Sequence, residues 1–429
     1  MTSAVTNGSL VDGTTYYYKA VLAGYNDYTG NFTVSSANPS VNFTMTAKAI
    51  YSYTVKAVDG SSNDLGTVGS GSGYADESVT YYYPEFVLSG TTLYRKNQNS
   101  TNPYWGASGT LDANNKEFTV AYGNTPIENV VFYKEAENID GFTAKTTNNA
   151  TIRCSAGTGG ISTSAVALTT LLPGKYTIFG QVWGTTGLTA TVKAGDNTVW
   201  ELASTGSLTS TTSAEFVLLT STDLTVVTTG GNDNRMLDLV YIVRTGDATV
   251  SRTISDAKYA TYCSPYALDF SGVPGLKAYI AVKNGSDIEF TQVSDVPANT
   301  GVLLKGDAGN YAIPVIAEST TDVDDNEFVG VTQEPEVVAD GIYVLLDGDR
   351  GVGFYKTTTA FTVGANTAYL PATVANAARK FIAFDGNGAT AIKSVKSQQK
   401  GSDIYNLQGQ RVKAAKRGLY IVNGKKVIK

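Results

Sequence analysis

Histidine is absent from all 429 residues. That absence removes Ser-His-Asp and Cys-His nucleophilic sites, histidine general bases and histidine metal ligands. Charge is also scarce: Asp, Glu, Lys and Arg together make up 16% of the chain, which leaves few charged helix formers. There are two cysteines, Cys154 and Cys263. They form no CxxC or zinc pattern, and two small buried residues is the reading favoured over a disulfide. No apolar run approaches the roughly 20 residues of a membrane span. Met1, Thr2, Ser3 and Ala4 open the chain without the apolar stretch of a signal peptide. Catalysis by paired carboxylates is the chemistry that composition leaves formally open.

What remains abundant suits strands. Tyr alone contributes 27 residues beside plentiful Thr, Ser, Asn and Gly, and the hydrophobic share of 42% argues against disorder. The length exceeds one ordinary core and implies three or four domains. Short alternating runs recur, such as Tyr53-Thr54-Val55-Lys56-Ala57-Val58 and Lys175-Tyr176-Thr177-Ile178-Phe179. Between them stand Asp12-Gly13, Asp59-Gly60, Asn284-Gly285, Asp347-Gly348 and Asn423-Gly424, dipeptides that supply the positive φ angles of tight hairpins. The pattern predicts an all-β chain: tandem small β modules, a jelly-roll β-sandwich, a further β-rich domain and a C-terminal β-hairpin tail. The one segment considered for a helix is Val374 to Lys380.

The net charge of −6 is unevenly spread. From Ile392 to Lys429 the chain carries ten Lys and Arg residues against the single acid Asp403. Because this basic stretch lies on a terminal tail and not on a folded face interleaved with aromatics, nucleic acid is not an expected partner.

Five segments follow. Residues 1–47 hold three expected strands around Tyr16–Tyr25, Phe32–Val34 and Val41–Met45, an order that resembles a partial PEGA-type surface repeat. Residues 48–125 open on Tyr53–Gly60 and close on Phe118–Tyr122, and that frame resembles the mucin-binding-type repeats of bacterial adhesins. Within it, Tyr81-Tyr82-Tyr83 and Tyr104-Trp105 are read either as a stacking face or as ordinary packing.

Residues 126–247 carry Phe132-Tyr133-Lys134-Glu135-Ala136-Glu137-Asn138, Leu172-Pro173-Gly174-Lys175-Tyr176 and Leu237-Asp238-Leu239-Val240-Tyr241. Their order resembles carbohydrate-binding modules of the family 6 and 35 type, which are jelly-roll sandwiches. The resemblance implies a structural calcium ion held by Glu135, Glu137 and Asp238. Alternation on a strand would put Glu135 and Glu137 on one face about 7 Å apart, and oxygen ligands suit calcium. A solvated acidic edge is the competing reading. The resemblance also implies a glycan partner, with Trp183 and Trp200 as candidate platforms and Asn232, Asp233 and Asn234 as polar partners. Core packing is the competing role for Trp183. Thr205-Gly206 is followed by Ser207-Leu208, where the family often shows an aromatic residue.

Residues 248–390 carry Tyr259–Phe270, Val296–Gly306 and Gly351–Lys356, phrases similar to a β-rich module near the C-terminus of many secreted proteins of Bacteroides- and Prevotella-like bacteria. The acids Asp322, Asp324, Asp325 and Glu327 lack EF-hand spacing and are read as a solvated loop. Residues 391–429 end in Gly418-Leu419-Tyr420-Ile421-Val422-Asn423-Gly424-Lys425-Lys426-Val427-Ile428-Lys429. By its own chemistry this is a hairpin, and the whole tail resembles the C-terminal sorting domain of the Bacteroidetes type IX secretion pathway. That resemblance implies export to the outer surface through the secretion machinery, and hence that Met1 is internal to a longer protein or follows a removed leader.

Together these readings predict a secreted, non-catalytic glycan-binding or adhesion protein. The alternatives are a structural or protein-binding surface protein without a sugar site, and a glycoside hydrolase fragment built on Glu135 and Glu137.

Overall fold

The computed structural model describes residues 10–35, 41–81, 83–96, 107–123, 126–146, 158–206, 209–285, 287–375 and 378–384, and the backbone of 392–393, 404–405, 411–412, 419–422 and 425–428. The described residues are all-β and include no helix of seven residues or more. Of the described residues in the segment considered for a helix, Val374 alone is helical, as the last residue of a 3-10 turn, Ala372–Val374, that follows Pro371 in an extended conformation. The chain divides into two compact units. The first is Met1–Thr170, Lys175–Phe216 and Asp223–Thr245; the second is Leu171–Gly174, Val217–Thr222 and Gly246–Lys429.

In the first unit, β1 (Thr15–Ala20) and β2 (Tyr28–Thr33) form an antiparallel ribbon. The third strand expected at Val41–Met45 does not form. Instead Phe43 stacks on Tyr28 at 5.1 Å, and Ala47 makes an isolated bridge to Tyr25. Next come β3 (Ile50–Val58), β4 (Asp64–Tyr74), β5 (Ser78–Tyr81), β6 (Phe86–Ser89), β7 (Thr92–Arg95), β8 (Ala107–Thr110) and β9 (Lys116–Ala121). β3 pairs antiparallel with β4 and parallel with β9. Val55, Ala57, Tyr81, Leu111, Phe118, Val120 and Tyr122 form the core of this module.

Here the abundance of both tyrosine and glycine acquires a physical reason. Tyr53 lies directly opposite Gly71, and a Cβ on Gly71 would stand 2.5 Å from the Tyr53 hydroxyl. Tyr18 lies opposite Gly30 in the same way, with 2.6 Å to its hydroxyl. A ring laid across a cross-strand glycine covers backbone that would otherwise be wet and builds core from few aliphatic residues.

The sandwich is built from β10 (Val130–Glu135), β11 (Thr143–Thr146), β12 (Thr158–Ile161), β13 (Val166–Leu171), β14 (Gly174–Gly184), β15 (Thr189–Ala194), β16 (Asn197–Ala203), β17 (Thr209–Leu218), β18 (Thr222–Thr229) and β19 (Arg235–Gly246). One sheet runs β11-β12-β19-β14-β17 with β10 added beside β19, and the other runs β13-β18-β15-β16. Neighbours are mostly distant in sequence, the crossing pattern of a jelly roll. Ile178, Ala190, Val192, Leu224, Val226, Val240 and Ile242 have no exposed surface. The β6–β7 hairpin packs on this sandwich through Phe86 and Leu93, which join Val130 and Leu239 in one buried cluster flanked by Tyr133, Phe179 and Tyr241.

The second unit centres on a five-stranded sheet in the order Tyr259–Cys263, Gly301–Lys305, Lys277–Asn284, Asp287–Val293 and Ile392–Lys393. Ala278, Ile280, Val302 and Leu304 belong to one core, while Tyr279, Ala281, Leu303 and Phe290 belong to another. Alternation therefore feeds both faces, which is why Tyr279 to Val282 and Gly301 to Leu304 read as nearly continuous apolar runs. Cys263 is buried as a free thiol. Cys154 lies outside the described residues. The tail forms a four-stranded sheet in which Leu419–Val422 pairs antiparallel with Lys425–Ile428, the hairpin expected from the Asn-Gly turn.

Candidate functional site

One end of the sandwich gathers the loops that carry the expected polar residues. β14 ends in Val182, Trp183 and Gly184, all buried. Gly184 has φ +109°, and a Cβ there would overlap Asn234 O, so the β14–β15 loop closes against the turn before β19. The Thr185 amide donates to Asn234 O at 3.1 Å. In that turn Asn232 Oδ1 accepts the Asn234 amide at 2.8 Å, and Asn232 and Arg235 bond mutually through their backbones at 2.9 and 3.1 Å. Asn232, Asp233 and Asn234 are all exposed. Asp233 pairs with Lys145 at 3.0 Å.

Two features behind the rim hold it. Arg235 donates from Nη1 to Thr186 O at 2.8 Å and from Nε to Gly230 O. Ser204, itself buried, donates from Oγ to Thr185 O at 2.7 Å and accepts the Leu188 amide at 3.1 Å. Neither residue is among the candidate binding or metal residues that the sequence suggests. Arg235 adjoins the Asn232–Asn234 run, and that adjacency is the one signal that points to it.

The tryptophans are placed differently from the expectation. Trp200 is 2% exposed. Its ring lies across Gly180, where a Cβ would collide with it, and its Nε1 donates to Thr212 O at 3.2 Å. It is core and offers no face to a sugar. Trp183 is 6% exposed and packs with Met236 and Ile161. Its Nε1 is buried without a hydrogen-bond partner. Of the two roles considered for Trp183, the structure shows packing. In the preceding module Tyr81 is likewise buried, stacked on Phe118 at 4.6 Å. Tyr82, Tyr104 and Trp105 lie outside the described residues.

The acids expected to hold calcium sit elsewhere, where β10 meets β19. Glu135 is the last residue of β10, and the chain then turns through a 3-10 segment, Ala136–Asn138. Glu137 is therefore off the strand, and the alternation that would have put it beside Glu135 is lost. Ala136 drives the change: it is fully buried and its carbonyl accepts the Ile139 amide at 3.2 Å. Asp238, also fully buried, accepts a bond from Gln181 Nε2 at 2.5 Å, and its Oδ1 has no hydrogen-bond partner. Glu135, 6% exposed, accepts the Tyr133 hydroxyl proton. Glu85, 4% exposed, approaches from the β6–β7 side and pairs with Arg95 at 2.5 Å.

Burial, together with Glu135, Glu85 and Glu137 nearby, holds the Asp238 carboxyl well above the usual carboxylate range, with the Gln181 bond opposing. Burial and Glu135 likewise push the Tyr133 hydroxyl well up. An orphaned oxygen in an all-oxygen neighbourhood has the chemistry of a calcium site. Among the described residues no group of three or more Asp, Glu or Cys side chains is arranged to hold a metal ion. Glu135 and Glu137, the other two acids expected to hold calcium, both lie near enough to Asp238 to act on its carboxyl.

No known family model matches the chain. No curated protein matches it. Among solved structures, the chain is similar to a carbohydrate-binding module (CBM6cm-2) from Cellvibrio mixtus lichenase 5A, solved in complex with cellotriose, at 18% identity, covering 27% of this chain and 98% of that one, with a TM-score of 0.20.

Proposed function

We propose that the chain is a non-catalytic, glycan-binding protein of the cell exterior, with the end of the sandwich at Asn232–Asn234 as its binding surface. The observation that supports this reading is the exposed amide and carboxylate turn fixed by bonds from behind it. Sugar hydroxyls both donate and accept, and Asn and Asp side chains supply both partners. A rim already ordered before binding loses little conformational entropy when a ligand arrives. With Trp183 buried, recognition at this end rests on hydrogen bonds and not on ring stacking. The small β modules serve as spacers, and the basic tail serves as an export signal to the secretion machinery; its four short strands with a Lys-rich final strand support that role.

A second reading has its own support. Burial of Trp183 and Trp200 favours a structural or protein-binding surface protein with no sugar site. A broad glycan array probed with the full chain separates the two. Retention on one sugar class supports glycan binding. Silence from a folded chain supports the structural role. A hydrolase built on Glu135 and Glu137 lacks the geometry for two carboxylates facing a cleft, since Glu135 is buried beside β19 and Glu137 lies in the turn that follows.

A further inference from the structure

Two loops meet with no clearance beside Asn234. A Cβ on Gly184 would overlap Asn234 O, and one on Gly230 would overlap Gly187 O. One on Gly187 would stand 2.9 Å from Arg235 Nη1. All three glycines have positive φ, at +109°, +72° and +109° in that order, where a side chain is strained as well as crowded. Glycine here permits close approach but supplies no attraction. The attraction comes from the Thr185 amide bonded to Asn234 O at 3.1 Å and from one half-buried side chain, the Arg235 guanidinium, which reaches Thr186 O on one loop and Gly230 O on another.

We infer that Arg235 is the positioning residue of this rim: its planar fork pins the β14–β15 loop to the β18–β19 loop and so fixes where the Asn232, Asp233 and Asn234 side chains point. A lysine cannot substitute, because a single ammonium on a flexible stem does not present donors in a rigid fork. The backbone consequence stands on the structure alone. The consequence for ligand retention rests on the glycan-binding reading above.

The test uses the full chain with Arg235→Lys and Arg235→Ala. Amide hydrogen exchange at Thr185 and Asn234 is expected to quicken by at least about tenfold in both variants while the global melting temperature stays near that of the parent. Retention of the glycan found for the parent falls by at least about tenfold, and added methylguanidinium restores slow exchange and retention to Arg235→Ala. Rescue by a small guanidinium separates positioning from a general loss of structure. Unchanged exchange in both variants overturns the inference, as does lost retention that accompanies global unfolding and is not rescued. If the parent retains no glycan, the binding reading fails, and the exchange data still decide whether Arg235 pins the loops.

Discussion

Gln181 donates from Nε2 to Oδ2 of Asp238 at 2.5 Å, and Oδ1 of the same fully buried carboxyl has no hydrogen-bond partner. The Asp238 carboxyl is raised well above its ordinary value, so the folded chain holds a proton that the unfolded chain releases near pH 4. Its contribution to stability is therefore complete below about pH 4 and declines as pH rises toward the folded value. Asp238→Asn keeps the shape and removes the charge. The variant is expected to gain about 1–2 kcal/mol at pH 7 relative to the parent, and to lose that gain at acid pH. Thermal melts of both proteins between pH 4 and 8 check this. A variant less stable than the parent at neutral pH would contradict it.

Asp295 responds with the opposite sign. Its carboxylate accepts from the Thr320 and Thr321 amides at 3.0 and 3.2 Å and from Ser294 Oγ at 2.9 Å. Burial raises its pKa, but the bonds from Ser319, Ser294, Thr321 and Thr320 outweigh it and hold the group below its usual value. Stability from Asp295 is present above about pH 4 and is lost as pH falls through the lower folded value. The second unit is thus expected to weaken below pH 4 under conditions where the Asp238 contribution is complete. Asp295→Asn should flatten that acid limb in a pH series of denaturant melts.

Chelator is expected to leave the melting temperature unchanged, because among the described residues no group of three or more acids is arranged to hold a metal ion. A specific cation would stabilise the folded chain by mass action. A melting temperature that drops in chelator and returns with calcium would overturn this reading of Glu135, Glu137 and Asp238.

The two sandwich tryptophans are expected to separate on substitution. Trp200→Ala removes a core ring and should cost about 3–5 kcal/mol. Trp183→Phe removes an indole N–H that has no partner, and should be neutral within about 1 kcal/mol. Urea melts distinguish the pair.

Glycine positions give a third contrast. Gly71→Ala pushes a methyl into the Tyr53 ring and should destabilise by about 1–3 kcal/mol. Gly364 has nothing within 4 Å of its absent Cβ and is not at positive φ. There alanine should be neutral or stabilising by up to about 1 kcal/mol, through the unfolded chain.

These contrasts show which features are legible in sequence. Hairpins closed by local turn chemistry are: Asn284 pairs with Asp287 around positive-φ Gly285, and Gly348 pairs with Gly351. The all-β class follows from the same local patterns. Features set by distant residues are not legible. Whether Trp200 faces solvent depends on Gly180 leaving room for its ring. Whether Glu137 stays on the strand depends on the burial of Ala136. The expected strand at Val41–Met45 gives way because Phe43 finds its partners in Tyr18 and Tyr28, and not in a ladder. The Asn232–Asn234 turn is readable as polar and loop-like. Its fixing by Arg235 and Ser204 is not, since both bond to carbonyls of the distant β14–β15 loop.

The measurement that bears most directly on the binding reading is isothermal titration of the glycan retained by the full chain, comparing the parent with Asp233→Ala and Asn234→Ala. These side chains are exposed, so neither substitution should lower the melting temperature by more than about 2 °C. The account predicts that at least one of the two weakens binding by about tenfold or more. Equal affinity in all three proteins would place the glycan elsewhere on the molecule and contradict the assignment of this turn as the binding surface.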